Sequence, residues 1–247
     1  MEKDKRNKIS SGSYDLNKWL HGGYEKDVIT MIAGSPGSGK TNFSTLVACS
    51  QAKKGNKALF IDTEGGFSSE RVEQIVGEEQ VESILENIIL LNPTSFKEQR
   101  EAFDKLNEKI KSEHVGVIVV DGMAMLYRLE LGDAVKSGEG ERIKETNREV
   151  ARQMRILAEI ARKQNIPVMI TNQVYSEFLT QEDIDRGFKK DTNIVGGDLF
   201  KYWSKCIIEL KNERGKRRAV LLKHRSIESK SLNFEIHDKG VFKKGLF

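Results

Sequence analysis

A glycine-rich octapeptide between an apolar run and a helical stretch is the feature that most constrains the fold of this chain. Residues 34–41 read GSPGSGKT and match the pattern G-x-x-x-x-G-K-[ST] in full. The preceding run, Val28 to Ala33, is apolar apart from Thr30, which is typical of a strand buried on both faces of a parallel sheet. The stretch from Lys40 to Lys54 favours a helix that ends near Gly55. A loop of this pattern between a strand and a helix binds nucleotide phosphates.

The residue types in this loop each suit phosphate binding. Glycines let backbone N–H groups curl around phosphate oxygens, and the helix N-terminus adds partial positive charge. Lys40 is expected to reach the β- and γ-phosphates, and the Thr41 hydroxyl is expected to ligate Mg²⁺. The predicted nucleotide-binding residues are Gly34, Ser35, Pro36, Gly37, Ser38, Gly39, Lys40, Thr41 and Asn42.

Two acidic residues at strand ends extend the predicted site. Asp121 follows the apolar run Val115 to Val120, and ligands bind at that edge of a parallel sheet. We therefore expect Asp121 to hold Mg²⁺ together with Thr41. Glu64 follows the strand Ala58 to Asp62 and is expected to orient and polarise an attacking water. Asp62 is the competing candidate, but strand alternation turns it away from Glu64.

The rest of the chain predicts an α/β fold in one domain. Apolar strands alternate with longer helical stretches, as in a parallel sheet flanked by helices. Two long loops, 122–140 and 174–197, interrupt this pattern. After Gly197, three strand patterns typical of an antiparallel edge follow. The predicted segments are helices at 14–20, 68–76, 95–111 and 141–164, and strands at 88–91, 168–171, 207–210, 219–222 and 232–236. The domain covers residues 1–247 with a charged tail at 1–10, and no separate N-terminal DNA-binding domain is expected.

Composition excludes some classes and leaves one question open. The two cysteines, Cys49 and Cys206, are too few for a disulfide framework. No apolar run approaches the roughly 18 residues of a membrane span, and we expect a cytoplasmic protein. The net charge is +4, but ten basic residues face only three acidic ones between positions 201 and 230. This basic run is either a solvated hairpin face or a site for a polyanion. Its members are Lys201, Lys205, Lys211, Arg214, Lys216, Arg217, Arg218, Lys223, Arg225 and Lys230.

Further motifs resemble the ATPase core of the RecA/RadA recombinase family. They are the segment DTEGGF at 62–67, the pentapeptide ITNQV at 170–174 and the pair Gly196-Gly197. The resemblance extends from Ser11 to Val241. The chain begins almost directly at this core and carries Lys-His-Arg at 223–225. In these two features it is most similar to a short archaeal paralogue of the recombinases.

This resemblance implies an ATP- and DNA-binding protein that assists homologous recombination and DNA repair. It implies weak, Mg²⁺-dependent ATP hydrolysis and a mediating or regulating role toward the main recombinase or other repair proteins. Glu64 and Lys40 would be catalytic, Gln173 would sense the γ-phosphate, and Arg71 would pack against adenine. Homo-oligomers are possible in such a family. The residues expected to contact DNA or a neighbouring subunit's nucleotide are Lys223, Arg225, Arg214, Lys216, Arg217 and Arg218.

The two long loops differ from the basic loops that grip single-stranded DNA in the recombinases. The second loop holds five acidic residues between Val174 and Thr192 against three basic ones, with Tyr175, Phe178 and Phe188 as candidates for base stacking. We therefore expect single-stranded or branched DNA to be held through its phosphates by the C-terminal basic run.

Two other functions stay open on the sequence alone. One is a KaiC-like signalling ATPase that acts on protein partners without DNA, and the other is a small-molecule kinase. A GTPase is disfavoured because no N-K-x-D motif follows the later strands.

Overall fold

The computed structural model describes residues 7–176 and 192–245. The strands, in chain order, are β1 (Lys8–Ile9), β2 (Tyr24–Glu25), β3 (Ile29–Gly34), β4 (Lys57–Asp62), β5 (Ile88–Leu91), β6 (Val115–Asp121), β7 (Val168–Ser176), β8 (Thr192–Ile194), β9 (Ser204–Glu213), β10 (Lys216–Lys223), β11 (Ser231–His237) and β12 (Gly240–Lys243). The helices are α1 (Tyr14–Trp19), α2 (Lys40–Ala52), α3 (Ser69–Val76), α4 (Val81–Leu85), α5 (Phe96–Asp104), α6 (Leu106–Ser112), α7 (Met125–Lys136), α8 (Gly140–Gln164) and α9 (Asp198–Trp203).

A ten-stranded sheet organises these elements. Its order is β12-β11-β10-β9-β3-β7-β6-β4-β5, with β8 paired to β7. The strands from β9 to β5 along this order are parallel, whereas β10, β11 and β12 are antiparallel. The expected α/β fold, a parallel sheet with an antiparallel C-terminal extension, is confirmed.

Two apolar layers cover the faces of the sheet. On one face, Phe43 and Leu46 of α2 pack with strand residues such as Ile32 and Phe60. On the other face, Met154 and Leu157 of α8 belong to the second layer. Because the inner strands are buried on both faces, they read as continuous apolar runs, which is why they are recognisable in the sequence.

The prediction that residues 122–140 form a long loop is wrong. Residues 125–136 form helix α7, and only short turns flank it. Leu126, Tyr127 and Ala134 bury their side chains, and the Tyr127 hydroxyl donates to Asn147 Oδ1 at 2.6 Å. Leu129 and Val135 are exposed, so the apolar residues do not follow one clear stripe. The helix is stabilised by its packing against α8.

The second predicted loop is partly strand. Strand β7 continues to Ser176, and β8 pairs with it antiparallel, with Val174 opposite Ile194. Tyr175 is exposed. Phe178, Phe188 and the charged residues of this loop all lie outside the described residues. The predicted helix at 95–111 is two helices, α5 and α6, which meet at Lys105.

The N-terminal segment around α1 packs against β12, near the C-terminus. The Ser13 hydroxyl donates to the Val241 carbonyl at 2.6 Å, and the Asp15 carboxylate accepts from the Lys243 backbone N–H. This contact seats α1 against β12, on the same side of the molecule as the antiparallel strands. Across the part of the chain that is described, none of the helices has the length and apolar character that crossing a bilayer requires.

Candidate nucleotide-binding site

The phosphate loop joins β3 to α2 at the carboxyl edge of the sheet. Gly39 adopts φ of +108° and ends the loop, and an added Cβ there would come 2.7 Å from Ile236 Cδ1. The positive φ strains any larger residue at this position, and the end of the Ile236 side chain would also have to shift. Lys40 is buried, and its ammonium donates to the carbonyls of Gly34 and Ser35 at 3.0 and 3.2 Å. Burial lowers the pKa of Lys40, opposed by the nearby carboxylates of Glu64 and Asp121.

Asp121 and Thr41 form an oxygen-donor pair beside the loop. One carboxylate oxygen of Asp121 accepts from Thr171 Oγ1 at 2.6 Å, whereas Oδ2 is buried without a hydrogen bond. Burial raises the pKa of Asp121 to about 6, and the hydroxyls of Thr171 and Thr41 oppose this shift. Gly66 lies above both groups, since a Cβ there would be 3.2 Å from Thr41 Oγ1 and 3.8 Å from Asp121 Oδ2. An unsatisfied carboxylate oxygen beside a hydroxyl fits the hard oxygen ligands that Mg²⁺ prefers.

Glu64 and Gln173 meet across the same edge. Gln173 Nε2 donates to Glu64 Oε1 at 3.2 Å, although the residues are 109 positions apart in the chain. Gly122 makes room for this pair with φ of +86°, because a Cβ there would lie 2.6 Å from Glu64 Cγ. The predicted catalytic carboxylate and the predicted phosphate sensor are therefore in direct contact.

Asp62 has a structural role in the turn that carries Glu64. Its carboxylate accepts the backbone N–H groups of Glu64, Gly65 and Phe67 at 3.1, 2.9 and 2.8 Å. Because both of its oxygens are committed to this turn, Asp62 is not available to activate water. The expectation that strand alternation turns Asp62 away from Glu64 does not hold, because residues two apart share a face of a strand. Asp62 is instead turned aside by its hydrogen bonds to the turn that follows β4.

Sequence reasoning missed two threonines that hold the site together. Thr171 accepts from the Gly122 N–H at 2.7 Å while its hydroxyl donates to Asp121. The Thr63 hydroxyl lies 3.0 Å from the Asp121 carbonyl and 2.8 Å from the Gly122 carbonyl. The available signal was their place on β7 and directly after β4, the two parallel strands that flank β6, at the edge where polar side chains converge.

Gln173 is also tied to the second loop. Its carbonyl accepts from the Val195 N–H at 2.9 Å, and the neighbouring Asn172 side chain donates to the Val195 carbonyl at 2.7 Å. A shift of Gln173 would therefore be transmitted to the Gly196-Gly197 pair.

Arg71 lies at the side of the loop and is held by several acceptors. Its Nε donates to Asn42 Oδ1 at 2.8 Å, and its terminal nitrogens donate to the carbonyls of His237 and Asp238. These bonds join α3, α2 and the β11–β12 turn. The expected contact with adenine stays a prediction.

The hairpin of β9 and β10 divides the basic run between two places. Leu210 of β9 is level with Gly34, so the hairpin tip extends past the phosphate loop. Arg214 and Gly215 form that tip with φ of +52° and +82°, which is typical of a two-residue turn. Lys223 lies six residues beyond Arg217 along β10, roughly 20 Å away. The two ends of β10 therefore serve different surfaces.

At the far end of β10, the cations have internal partners. The Arg225 guanidinium contacts Asp27 at 2.6 and 2.8 Å and Glu25 at 2.9 Å, and Lys223 Nζ donates to the Lys201 carbonyl at 2.8 Å. Arg225 is therefore ion-paired within its own chain, and its expected contact with DNA or a neighbouring subunit stays a prediction. The sequence offered no signal for this pairing, because Glu25 and Asp27 lie some 200 positions away.

At the nucleotide end, three cations are unpaired. Within residues 7–176 and 192–245, the side chains of Arg214, Lys216 and Arg218 are exposed and form no hydrogen bond or ion pair. Lys216 and Arg218 line a concave groove of about 1140 Å³ on the antiparallel strands. We call it the basic groove, because seven of its lining residues are basic and two are acidic. They are Lys18, Lys211, Lys216, Arg217, Arg218, Lys243 and Lys244, with Asp15 and Glu213.

A smaller cavity of about 430 Å³ lies over the phosphate loop. Lys40 and Thr41 line it together with Glu64 and Gln173, so the structure brings these predicted site residues together. Arg217 also lines this cavity, a position that sequence reasoning did not assign to it.

Comparisons with known proteins agree with this architecture. A family model described as Rad51 matches residues 2–244. A protein named DNA repair and recombination protein RadB from Methanobrevibacter smithii is 42% identical over 231 residues, which cover 92% of each chain. The protein of the same name from Methanococcoides burtonii is 42% identical over 238 residues, covering 96% of this chain and 98% of its own.

Proposed function

This chain belongs to the Rad51 family and, within it, to the archaeal RadB paralogues, and on that premise we propose that it is an ATP-binding, DNA-contacting ATPase that assists homologous recombination and DNA repair. One observation carries the proposal most directly: the cavity over the phosphate loop gathers Lys40, Thr41, Glu64 and Gln173. Family membership favours a recombination role over the signalling ATPase.

The phosphate loop would bind ATP through its backbone N–H groups and Lys40. The Lys40 ammonium lies against the loop carbonyls of Gly34 and Ser35, where it is placed to donate to phosphate oxygens held by the loop. Thr41 and Asp121 would hold Mg²⁺, which neutralises phosphate charge when it is bound. The buried, unpartnered Oδ2 of Asp121 supports this assignment.

Glu64 would position the attacking water and accept its proton. Its hydrogen bond with Gln173 would orient the carboxylate, and Gln173 would sense the γ-phosphate from the same edge of the sheet. Weak hydrolysis is proposed from the family alone. The bond between Gln173 and Val195 supports coupling of nucleotide state to the second loop.

DNA would be held by its phosphates in the basic groove. Lys216 and Arg218 are exposed and unpaired there, whereas Lys211 and Lys244 have carboxylate neighbours, Glu209 and Glu235. A contact made mainly through phosphates is strongly salt-dependent and poor in sequence discrimination. The basic groove would bind single-stranded or branched DNA. The protein would act together with the main recombinase or other repair proteins.

The test is DNA binding of the purified protein over a salt series, with and without ATP and Mg²⁺. Wild type is compared with Lys40→Ala. We expect wild type to bind DNA with an affinity that falls steeply with salt, and Lys40→Ala to lose ATP binding. A wild-type protein that binds ATP but ignores DNA at low salt would overturn the DNA part of the proposal. The search would then turn to protein partners.

A further inference from the structure

Arg217 points toward the nucleotide side of the sheet, unlike its two neighbours. In the ladder of β10 it stands opposite Asn212 on β9 and Phe234 on β11. Because side chains alternate along a strand, Arg217 shares its face with Ala219 and Leu221. Those two residues are buried in the layer that contains α2.

This direction places Arg217 at the phosphate loop. It lines the 430 Å³ cavity with Pro36, Gly37 and Lys40. In the sheet, β10 lies on one side of β3, whereas β4, which precedes Glu64, and β7, which contains Gln173, lie on the other side. Glu64 and Gln173 therefore line the cavity on one side, and the Arg217 guanidinium lines it on the other. Lys40 lies between them.

The guanidinium has no partner of its own. Arg217 is half-buried, and among the residues that the structure describes it forms no hydrogen bond or ion pair. Its Nε is buried and unsatisfied. Other arginines differ: Arg152 contacts Glu149 and Asp104, and Arg225 contacts Glu25 and Asp27. A half-buried cation without a counter-ion is unfavourable, and an Arg fork matches the geometry of phosphate oxygens.

We propose that Arg217 is a nucleotide ligand in cis, donating to polyphosphate oxygens of ATP bound at the phosphate loop of its own chain. The inference rests on the proposed function, because it requires that loop to bind ATP. It removes Arg217 from the set expected to contact DNA or a neighbouring subunit. It also places one residue on the wall that the nucleotide cavity and the basic groove share.

The experiment is calorimetric titration with ATP and Mg²⁺ in the absence of DNA. Arg217→Ala is expected to weaken binding roughly ten- to a hundredfold, the range for a lost charged hydrogen bond. Arg217→Lys keeps the charge but not the fork and is expected to fall between Arg217→Ala and wild type. The matched control is Arg100→Ala, which removes an exposed arginine of α5 away from both cavities and is expected to stay within about twofold of wild type.

Two results would overturn the inference. One is Arg217→Ala binding ATP as wild type does while Lys40→Ala binds none. The other is recovery of tight binding when Arg217→Ala and Lys40→Ala proteins are mixed, since that places Arg217 in trans. Arg217→Gln, which keeps most of the side chain, replaces Arg217→Ala if the latter does not fold. A wild-type protein that fails to bind ATP would instead refute the proposed function.

Discussion

Strand β10 begins at the nucleotide edge of the sheet with Lys216 and Arg218 and leads at its other end to Lys223 and Arg225. The first pair is exposed and has no internal partner in the described residues. At the other end, Arg225 is held by two carboxylates and Lys223 by a carbonyl. Residues of the same type in one basic run therefore differ in whether their charge remains available to bind a ligand. The unpaired end is suited to binding phosphates, and the paired end stabilises the fold.

The largest expected effect tests the paired end. Arg225→Ala leaves Glu25, which is 5% exposed at its side chain, beside the Asp27 carboxylate without a counter-ion. We expect the free energy of unfolding to fall by about 2 kcal/mol, less than for a fully buried pair because the guanidinium itself is partly exposed. Urea unfolding measures the loss, and Arg214→Ala, at the exposed tip, is the control. Equal stability of the two variants would show that the ion pair contributes nothing.

The next effect tests the unpaired end. The double variant Lys216→Ala/Arg218→Ala is expected to weaken binding of single-stranded DNA about tenfold at low salt. It should also reduce the slope of log affinity against log salt by about 1.4, the value for two lost phosphate contacts. Lys53→Ala/Lys54→Ala removes the same charge from exposed positions beyond α2. If both double variants weaken binding equally, overall charge and not the basic groove determines the affinity.

A smaller effect concerns Asp121, a buried carboxylate with no ion-pair partner among the described residues. Burial raises the pKa of Asp121 to about 6, above its unfolded value, so the protonated form favours folding. The stabilisation is complete below the unfolded pKa near 4 and disappears as pH rises through about 6. Above that pH, without Mg²⁺, Asp121→Asn should therefore be more stable than wild type by about 1 kcal/mol. Thermal unfolding in a chelator at pH 7.5 and pH 4.5 measures this difference, which should shrink at the lower pH. A variant less stable than wild type at pH 7.5 would contradict the assignment.

The smallest expected effect concerns Lys223, at the far end of β10. Its substitution tests whether that end contacts DNA. Its ammonium bonds to one backbone carbonyl, and burial with the nearby Lys205 charge lowers its pKa. Lys223→Ala should change the free energy of unfolding by less than about 0.5 kcal/mol. It should leave the salt slope of DNA binding unchanged. A slope reduced as far as in the Lys216/Arg218 variant would move the DNA contact to the far end of β10.

The parts of the fold that the sequence predicted are those with strong local patterns. Strands buried on both faces produce apolar runs, and α8 shows a regular apolar face through Val150, Met154 and Leu157. Helix α7 was missed because its apolar residues are divided between core and solvent. The short strands β1 and β2 were missed because two residues carry no periodicity. In both cases tertiary contacts stabilise an element that local preference does not specify.

The sequence by itself determined the phosphate loop, the strand-end acids Glu64 and Asp121, and membership in a recombinase-like class, because each depends on residues close together in the chain. Only the tertiary structure decided which cations are free. Glu25 and Asp27 neutralise Arg225 from some 200 positions away, and the strand register turns Arg217 toward the nucleotide cavity while Arg218 faces the groove. Coulomb interactions and hydrogen bonds depend on distance in space, and a sequence does not record which distant carboxylate folds against which guanidinium.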